Sequence, residues 1–215
     1  MRRALRATGW TFISMGAFVL YFLVYQLVGT NAVTNAGQSS LRNQLQREWS
    51  AQPAPKGDPK RVAPRRVALG KGLAVLDIPK IQLVNRVIVE GVGRDELRKG
   101  PGHVPSTVPP GQPGTFGVSG HRTTYGAPFY RLNELEKGDT ITVVTRDAIY
   151  TYTVTRTAIV RPTDTQVLDN VHGRDGKLKA TITLTTCHPR YSARQRLVVF
   201  GDLSLTSTNT GKVAA

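Results

Sequence analysis

The chain opens with a stretch that is free of charge from Ala7 to Leu41. Inside it, Trp10 to Gly29 supplies 20 residues of which 15 are apolar. Twenty helical residues extend about 30 Å, the thickness of a hydrocarbon core, so the pattern predicts a transmembrane helix over residues 10–29. Trp10 and Tyr25 fall where amphipathic rings favour the two interfaces. A cleaved signal peptide has a shorter apolar run, about 7–15 residues, and Thr34-Asn35-Ala36 is a weak cleavage site, so the segment reads as a retained signal-anchor. Leu41, Leu45 and Trp49 then recur every four residues and predict a short amphipathic helix. Four prolines between Pro53 and Pro64 follow, which favour an extended spacer over a helix.

From Leu73 the pattern changes to short runs rich in Val, Ile, Thr and Tyr, separated by turn signals such as Lys137-Gly138-Asp139 and Gly173–Gly176. These predict strands over Ala74–Ile78, Arg86–Gly91, Thr115–Gly120, Thr140–Arg146, Tyr150–Val160, Leu178–Cys187 and Leu197–Leu203. Short helices are expected at Arg94–Lys99 and Phe129–Leu135. Seven or eight strands with few helices indicate a β-barrel or sandwich. The chain thus divides into a tail (1–9), a span (10–29), a linker (30–72), a β-domain (73–205) and a polar tail (206–215).

The charge changes this picture only in part. Of 215 residues, 29 are Lys or Arg and 14 are Asp or Glu, a net +15 that invites a nucleic-acid reading. Residues 1–41 hold three of the basic groups, and residues 42–72 hold eight basic and two acidic ones, so more than half of the excess lies outside the β-domain. Nine aromatic residues lie beyond the span, and they do not interleave with basic ones as a stacking groove requires. Arg2, Arg3 and Arg6 precede the span closely, whereas Arg42 is the first basic group after it. The positive-inside bias therefore predicts a single-pass protein with a cytoplasmic N-terminus and an extracellular β-domain, which argues against nucleic acid as a partner. The basic linker suits anionic surfaces, or serves simply as a solvated tether.

One cysteine excludes an internal disulfide and a Cys-rich zinc site. Cys187 ends the run Ala180–Cys187, whose alternation puts Ile182 and Leu184 on one face and Thr181, Thr183 and Thr185 on the other, a half-buried strand. A free cysteine is most often an inert small hydrophobe, but this one sits at a strand end beside a polar loop, where a thiol can react. A reactive thiol needs a base or cation. His188 is adjacent but diverges from Cys187, while His103 and His172 occupy loops and are expected at the surface. His121 ends the strand Thr115–Gly120, a rigid platform for chemistry. An oxyanion needs a donor, and Arg190, Arg194 and Arg196 follow the cysteine. If the last strand pairs antiparallel with Leu178–Cys187, Arg196 lies opposite the cysteine end and the other two ride on the connecting loop.

Ser119-Gly120-His121, Thr183-Leu184-Thr185-Thr186-Cys187 and Arg196-Leu197-Val198-Val199, in that order, resemble the sortases over roughly residues 72–205. The resemblance implies a closed eight-stranded β-barrel and a membrane-anchored cysteine transpeptidase that uses no cofactor and no metal. Cys187 would attack the Thr–Gly bond of an LPxTG-like signal on a surface protein, and a cell-wall precursor amine of the lipid II type would resolve the thioester. His121 would be general acid and base, Arg196 would hold substrate and oxyanion, and Thr186 is a candidate substrate contact. No carboxylate presents itself to orient His121. Pilus-building members usually carry a second, C-terminal span and an Asp-Pro-aromatic lid. Here the tail is polar and Asp58-Pro59 is followed by Lys60. The segment TTCHPRYSARQRL is similar to class E housekeeping members, which prefer an LAxTG-type signal. A membrane-anchored cysteine protease and a non-enzymatic wall-binding module are the other readings. The papain-type context is absent, and His121 precedes Cys187, the reverse of the papain order.

Overall fold

The strands of the second half close on one another in the order β1-β2-β3-β4-β7-β8-β6-β5, a closed eight-stranded barrel as expected. They are β1 (Gly72–Ile78), β2 (Leu83–Glu90), β3 (Gly102–His103), β4 (Gly114–Ser119), β5 (Thr140–Val144), β6 (Ala148–Val160), β7 (Ala180–His188) and β8 (Gln195–Thr208). The computed structural model describes residues 2–25, 29–51 and 67–209. The proline-rich spacer, with Asp58-Pro59-Lys60, lies outside these residues, as does the end of the polar tail. Pairing is antiparallel except between β2 and β3 and between β4 and β7, which run parallel.

The barrel interior follows from period-two patterning. Along β6, Ala148, Tyr150, Tyr152 and Val154 point inward while their neighbours are half-exposed. They meet Leu76, Ile88, Phe116, Val118, Ile141, Ile182 and Leu184 in one core. Tyr152 is fully buried, and its hydroxyl accepts a hydrogen bond from the Gly111 N–H at 2.8 Å. Burial pushes its pKa well up, so it stays a neutral phenol.

Two expectations are corrected here. β7 is buried on both faces rather than one: Thr181 and Thr183 are as enclosed as Ile182 and Leu184. The β6–β7 connection, with its 3-10 turn Thr165–Leu168, covers the threonine face. The hydroxyls find partners there, Thr181 with Thr115 at 3.0 Å and Thr183 with the Val167 carbonyl at 3.4 Å. The helix expected at Phe129–Leu135 is a chain of i→i−3 turns, with Leu132–Glu134 a 3-10 turn. Phe129 is drawn fully into the core, and its N–H bonds back to the His121 carbonyl. The expected Arg94–Lys99 helix is one turn, α3 (Arg94–Leu97), and the two-residue β3 is too short to leave a sequence signal.

Two long helices precede the barrel. α1 (Arg2–Val24) has 23 residues, none buried, and a mean hydropathy of 1.6 over its most apolar 18-residue window. It is long and apolar enough to cross a membrane. The helix includes the basic residues that precede the expected span, and residues 26–28 of that span lie outside the described residues. α2 (Thr30–Ala51) carries the Leu41/Leu45/Trp49 stripe, packed on Val75, Val87, Val89 and Val144 of the barrel wall. It is longer than the stripe alone predicted, because its polar first half docks as well. Gln38 donates to the carbonyls of Val87 and Lys99 at 3.0 and 2.8 Å and accepts from the Val87 N–H at 2.8 Å. β3 pairs with β2 only at Val89 and Glu90, so one side-chain amide completes the ladder that β3 leaves open at Val87.

Candidate active site

Parallel pairing of β4 with β7 brings His121 and Cys187 to one rim of the barrel. The ladder runs from Gly114 opposite Ala180 to Ser119 opposite Thr185, an offset of 66 residues that is also the separation of His121 from Cys187. Hydrogen bonds hold the register at the last pair and one residue beyond it. The Ser119 and Thr185 hydroxyls are 2.7 Å apart, the Gly120 N–H donates to the Thr185 carbonyl at 3.1 Å, and the Thr186 hydroxyl donates to the Gly120 carbonyl at 2.7 Å. Gly120 has no alternative residue, since a Cβ there would lie 2.7 Å from the Phe129 ring. The residue before the imidazole is thus tied to the residue before the thiol.

Cys187 and His121 face the same open cleft of about 390 Å³. Arg122, Thr123 and Thr124 line it beside the histidine, and Tyr191, Ser192 and Ala193 line it beside the cysteine. Both side chains are half-buried. Burial lowers the pKa of His121 below its ordinary value, which favours a neutral imidazole able to take a proton. Its ring stacks obliquely on Tyr125 at 5.1 Å. Among the described residues no group of acidic, histidine and cysteine side chains is arranged to hold a metal ion. A smaller pocket of about 80 Å³ lies between Trp49 of α2 and Tyr150, and neither a thiol nor an imidazole lines it.

Arg196 is the antiparallel partner of Cys187 in the β7–β8 ladder. Its guanidinium turns back on the connecting loop and donates to the carbonyls of Ala193 and Gln195, both at 3.0 Å. Arg190 rides on the connecting loop as expected, but it sits over the Tyr130 ring at 4.1 Å and donates to Asn133 Oδ1 at 3.3 Å. Arg194 is exposed, and so is His172. His103 is corrected: it is 4% exposed rather than a surface residue. Its Nδ1 lies 2.8 Å from Glu90 and its Nε2 lies 3.1 Å from the Thr107 hydroxyl. That network pins the β3–β4 connection and lines no part of the cleft.

Sequence reasoning missed Arg122. It follows His121 directly in a polar loop, where a charge is ordinarily solvated, yet only 4% of it is exposed. It donates to the Cys187 carbonyl at 3.2 Å, meets His188 Nδ1 at 3.1 Å and donates to Asn133 Oδ1 at 2.8 Å. The offset of 66 that aligns His121 with Cys187 also aligns Arg122 with His188, and only the parallel register reveals it.

Residues 76–204 match the sortase domain family model. Sortase SrtE1 of Streptomyces coelicolor is 35% identical over 93% of this chain, which spans 57% of that relative's length. Sortase D of Bacillus subtilis is 30% identical over 88% of this chain and 93% of its own. Among solved structures, Sortase E1 from Streptomyces coelicolor with a tripeptide in its active site superposes with a TM-score of 0.59 at 32% identity, covering 67% of this chain and 96% of that one. Together with the closed barrel and the thiol and imidazole that its parallel strands deliver to one cleft, these matches make the chain a member of the sortase family of cysteine transpeptidases.

Proposed function

We propose that this protein is a class E-like sortase that cleaves an LAxTG- or LPxTG-like signal between Thr and Gly and passes the surface protein to a cell-wall precursor amine. Cys187 Sγ attacks the threonine carbonyl carbon as His121 takes the thiol proton, the C–N bond to glycine breaks, and His121 passes that proton to the departing amine. An incoming amine then attacks the thioester carbon, His121 takes its proton, and the C–S bond breaks to return the thiol. Arg196 stabilises the oxyanion of each tetrahedral intermediate once substrate displaces its bonds to the loop carbonyls. Thr186 holds the two strand ends in register. A direct contact of its hydroxyl proton with substrate requires release of the Gly120 carbonyl. The tripeptide in the active site of the Streptomyces coelicolor relative supports a peptide as substrate. α1 anchors the chain in the membrane, Arg2, Arg3 and Arg6 keep its N-terminus cytoplasmic, and residues 73–205 form the extracellular catalytic domain with residues 30–72 as its approach.

The observation that carries this reading is the common cleft of Cys187 and His121 at the end of the β4–β7 ladder. It is tested with the full chain in detergent, an LAETG-containing peptide and intact mass spectrometry. The expected result is a thioester adduct that is absent in Cys187→Ala and is released as a new amide when an amine is added. Absence of an adduct with both LAETG and LPETG peptides overturns it. Release only as the free acid at high amine concentration favours the protease.

A further inference from the structure

Arg122 is a buried charged side chain with no carboxylate partner. It is 4% exposed, and its Nε–H has no hydrogen-bond partner. A buried guanidinium is ordinarily matched by a carboxylate, because a charge is costly to remove from water. The ion pairs among the described residues all lie elsewhere. Glu134 acts at a distance on the neighbouring Arg190, but its oxygens are held by Arg131 at 2.7–3.0 Å. Arg122 bonds instead to neutral acceptors, the Cys187 carbonyl, Asn133 Oδ1 and His188 Nδ1. A second cation, Arg190, shares Asn133 and opposes it. The charged and titratable groups around Cys187 are thus Arg122 and His121 on the β4 side, His188, Arg190 and Tyr191 on its own strand and loop, Tyr130 beneath Arg190, and Arg196 on β8, and no carboxylate among the described residues bonds to the cations. Burial and Arg190 both press the Arg122 pKa down, Cys187 acts in the opposite direction, and a guanidinium remains charged throughout.

We propose that Arg122 is a positioning residue that fixes the end of the nucleophile strand through the Cys187 carbonyl and supplies the built-in positive charge that faces the anion Cys187 becomes as it reacts. The proposal rests on the reading of Cys187 as nucleophile, and it separates two tasks. Arg196, bonded to its own loop and partly exposed, is free to swing toward substrate. Arg122 is held by bonds on two sides and cannot swing, so its charge is a fixed part of the cleft wall. Preorganised charge of this kind acts without reorganising when the reaction occurs.

The test needs no peptide substrate, so its failure is distinct from failure of the transpeptidase reading. Cys187 is the only cysteine, and alkylation of the full chain in detergent therefore reports a single thiol. Neutral iodoacetamide and anionic iodoacetate are compared at pH 7 in low salt. Arg122→Met is expected to slow iodoacetamide about tenfold and to lower the ratio of iodoacetate to iodoacetamide rates by a further several-fold, the scale of losing one nearby charge. Arg122→Lys retains the charge and keeps the ratio within about twofold of the parent. Asn133→Asp preserves the hydrogen bonds to Arg122 and cancels its charge, so it lowers the ratio as Arg122→Met does. That variant keeps the proposal testable if Arg122→Met does not fold. A merely structural arginine leaves the ratio unchanged in Asn133→Asp, and that result overturns the proposal. An unchanged ratio in folded Arg122→Met overturns it equally.

Discussion

The α2–β2 seam and the β4–β7 rim both join polar side chains to the ends or edges of strands, and they use them to opposite ends. At the seam, Gln38 is 3% exposed, and its amide satisfies both backbone groups of Val87, while Leu41 and Leu45 fill the space beside it. At the rim, the backbone is closed by Ser119, Gly120, Thr185 and Thr186, but Cys187 and His121 beyond them are left half-open to a cleft. One site places its polar groups where removing them exposes unsatisfied backbone. The other places them where removing them exposes only solvent. Stability and activity therefore separate along the chain, and substitutions in the two regions are expected to move different measurements.

The largest effect belongs to the rim. His121→Ala is expected to reduce amide formation from an LAETG peptide about a thousandfold, the scale of losing a general acid and base, while shifting Tm by less than about 2 °C. A comparable fall in Tm would mean that the imidazole is structural and that the contrast between the regions is false. Arg196→Ala comes next. Loss of an oxyanion donor typically costs about a hundredfold or more in kcat, whereas Arg190→Ala, which removes a contact with Tyr130 and Asn133, is expected to cost less than about fivefold. Equal losses in the two would assign the oxyanion to neither.

The seam gives the reverse pattern. Gln38→Ala leaves the Val87 N–H and two carbonyls without their partner, a destabilisation of about 2–4 kcal/mol, or about 5–10 °C in Tm for a domain of this size. Turnover measured well below Tm is expected to stay within about threefold of the parent. A Tm that does not change would show that α2 is dispensable, and a chain beginning at residue 51 would then be as stable as one that retains it.

The two regions were not equally legible in the sequence. The strands from β4 to β8 were readable because alternating Val, Ile, Thr and Tyr report a pleated surface directly, and the stripe Leu41/Leu45/Trp49 reported the apolar half of α2. Thr34 and Gln38 gave no such signal, since polar residues at helical spacing ordinarily mark a solvated face. The burial of Gln38 depends on an open stretch of β2 that exists because β3 is two residues long, and Thr34 is held by the Arg98 carbonyl just beyond α3. Cys187, His121 and Arg196 were legible as strand-end residues suited to the proposed chemistry, and the motif order grouped them. Arg122 was invisible because its burial follows from the register of two strands far apart in sequence. His103 was misplaced for a related reason, as Glu90 and Thr107, which enclose it, come from different elements.

The smallest effect is a pH dependence, and it follows from His121 being held below its ordinary pKa by burial. In the unfolded chain an imidazole titrates near pH 6.5, so on acidification the unfolded state binds this proton before the folded state does. The group's contribution to stability is present above pH 6.5 and is lost as pH falls from there through the lower folded value. His121→Gln removes that loss and leaves the other three histidines in place. The drop in Tm from pH 7.5 to pH 5.5 is therefore expected to be smaller in His121→Gln than in the parent by about 1–2 °C, small because the ring still faces the cleft. An equal drop in the two proteins would mean that His121 is as well solvated as in the unfolded chain. The rim would then lack the partial desolvation that keeps its imidazole neutral and ready to accept a proton.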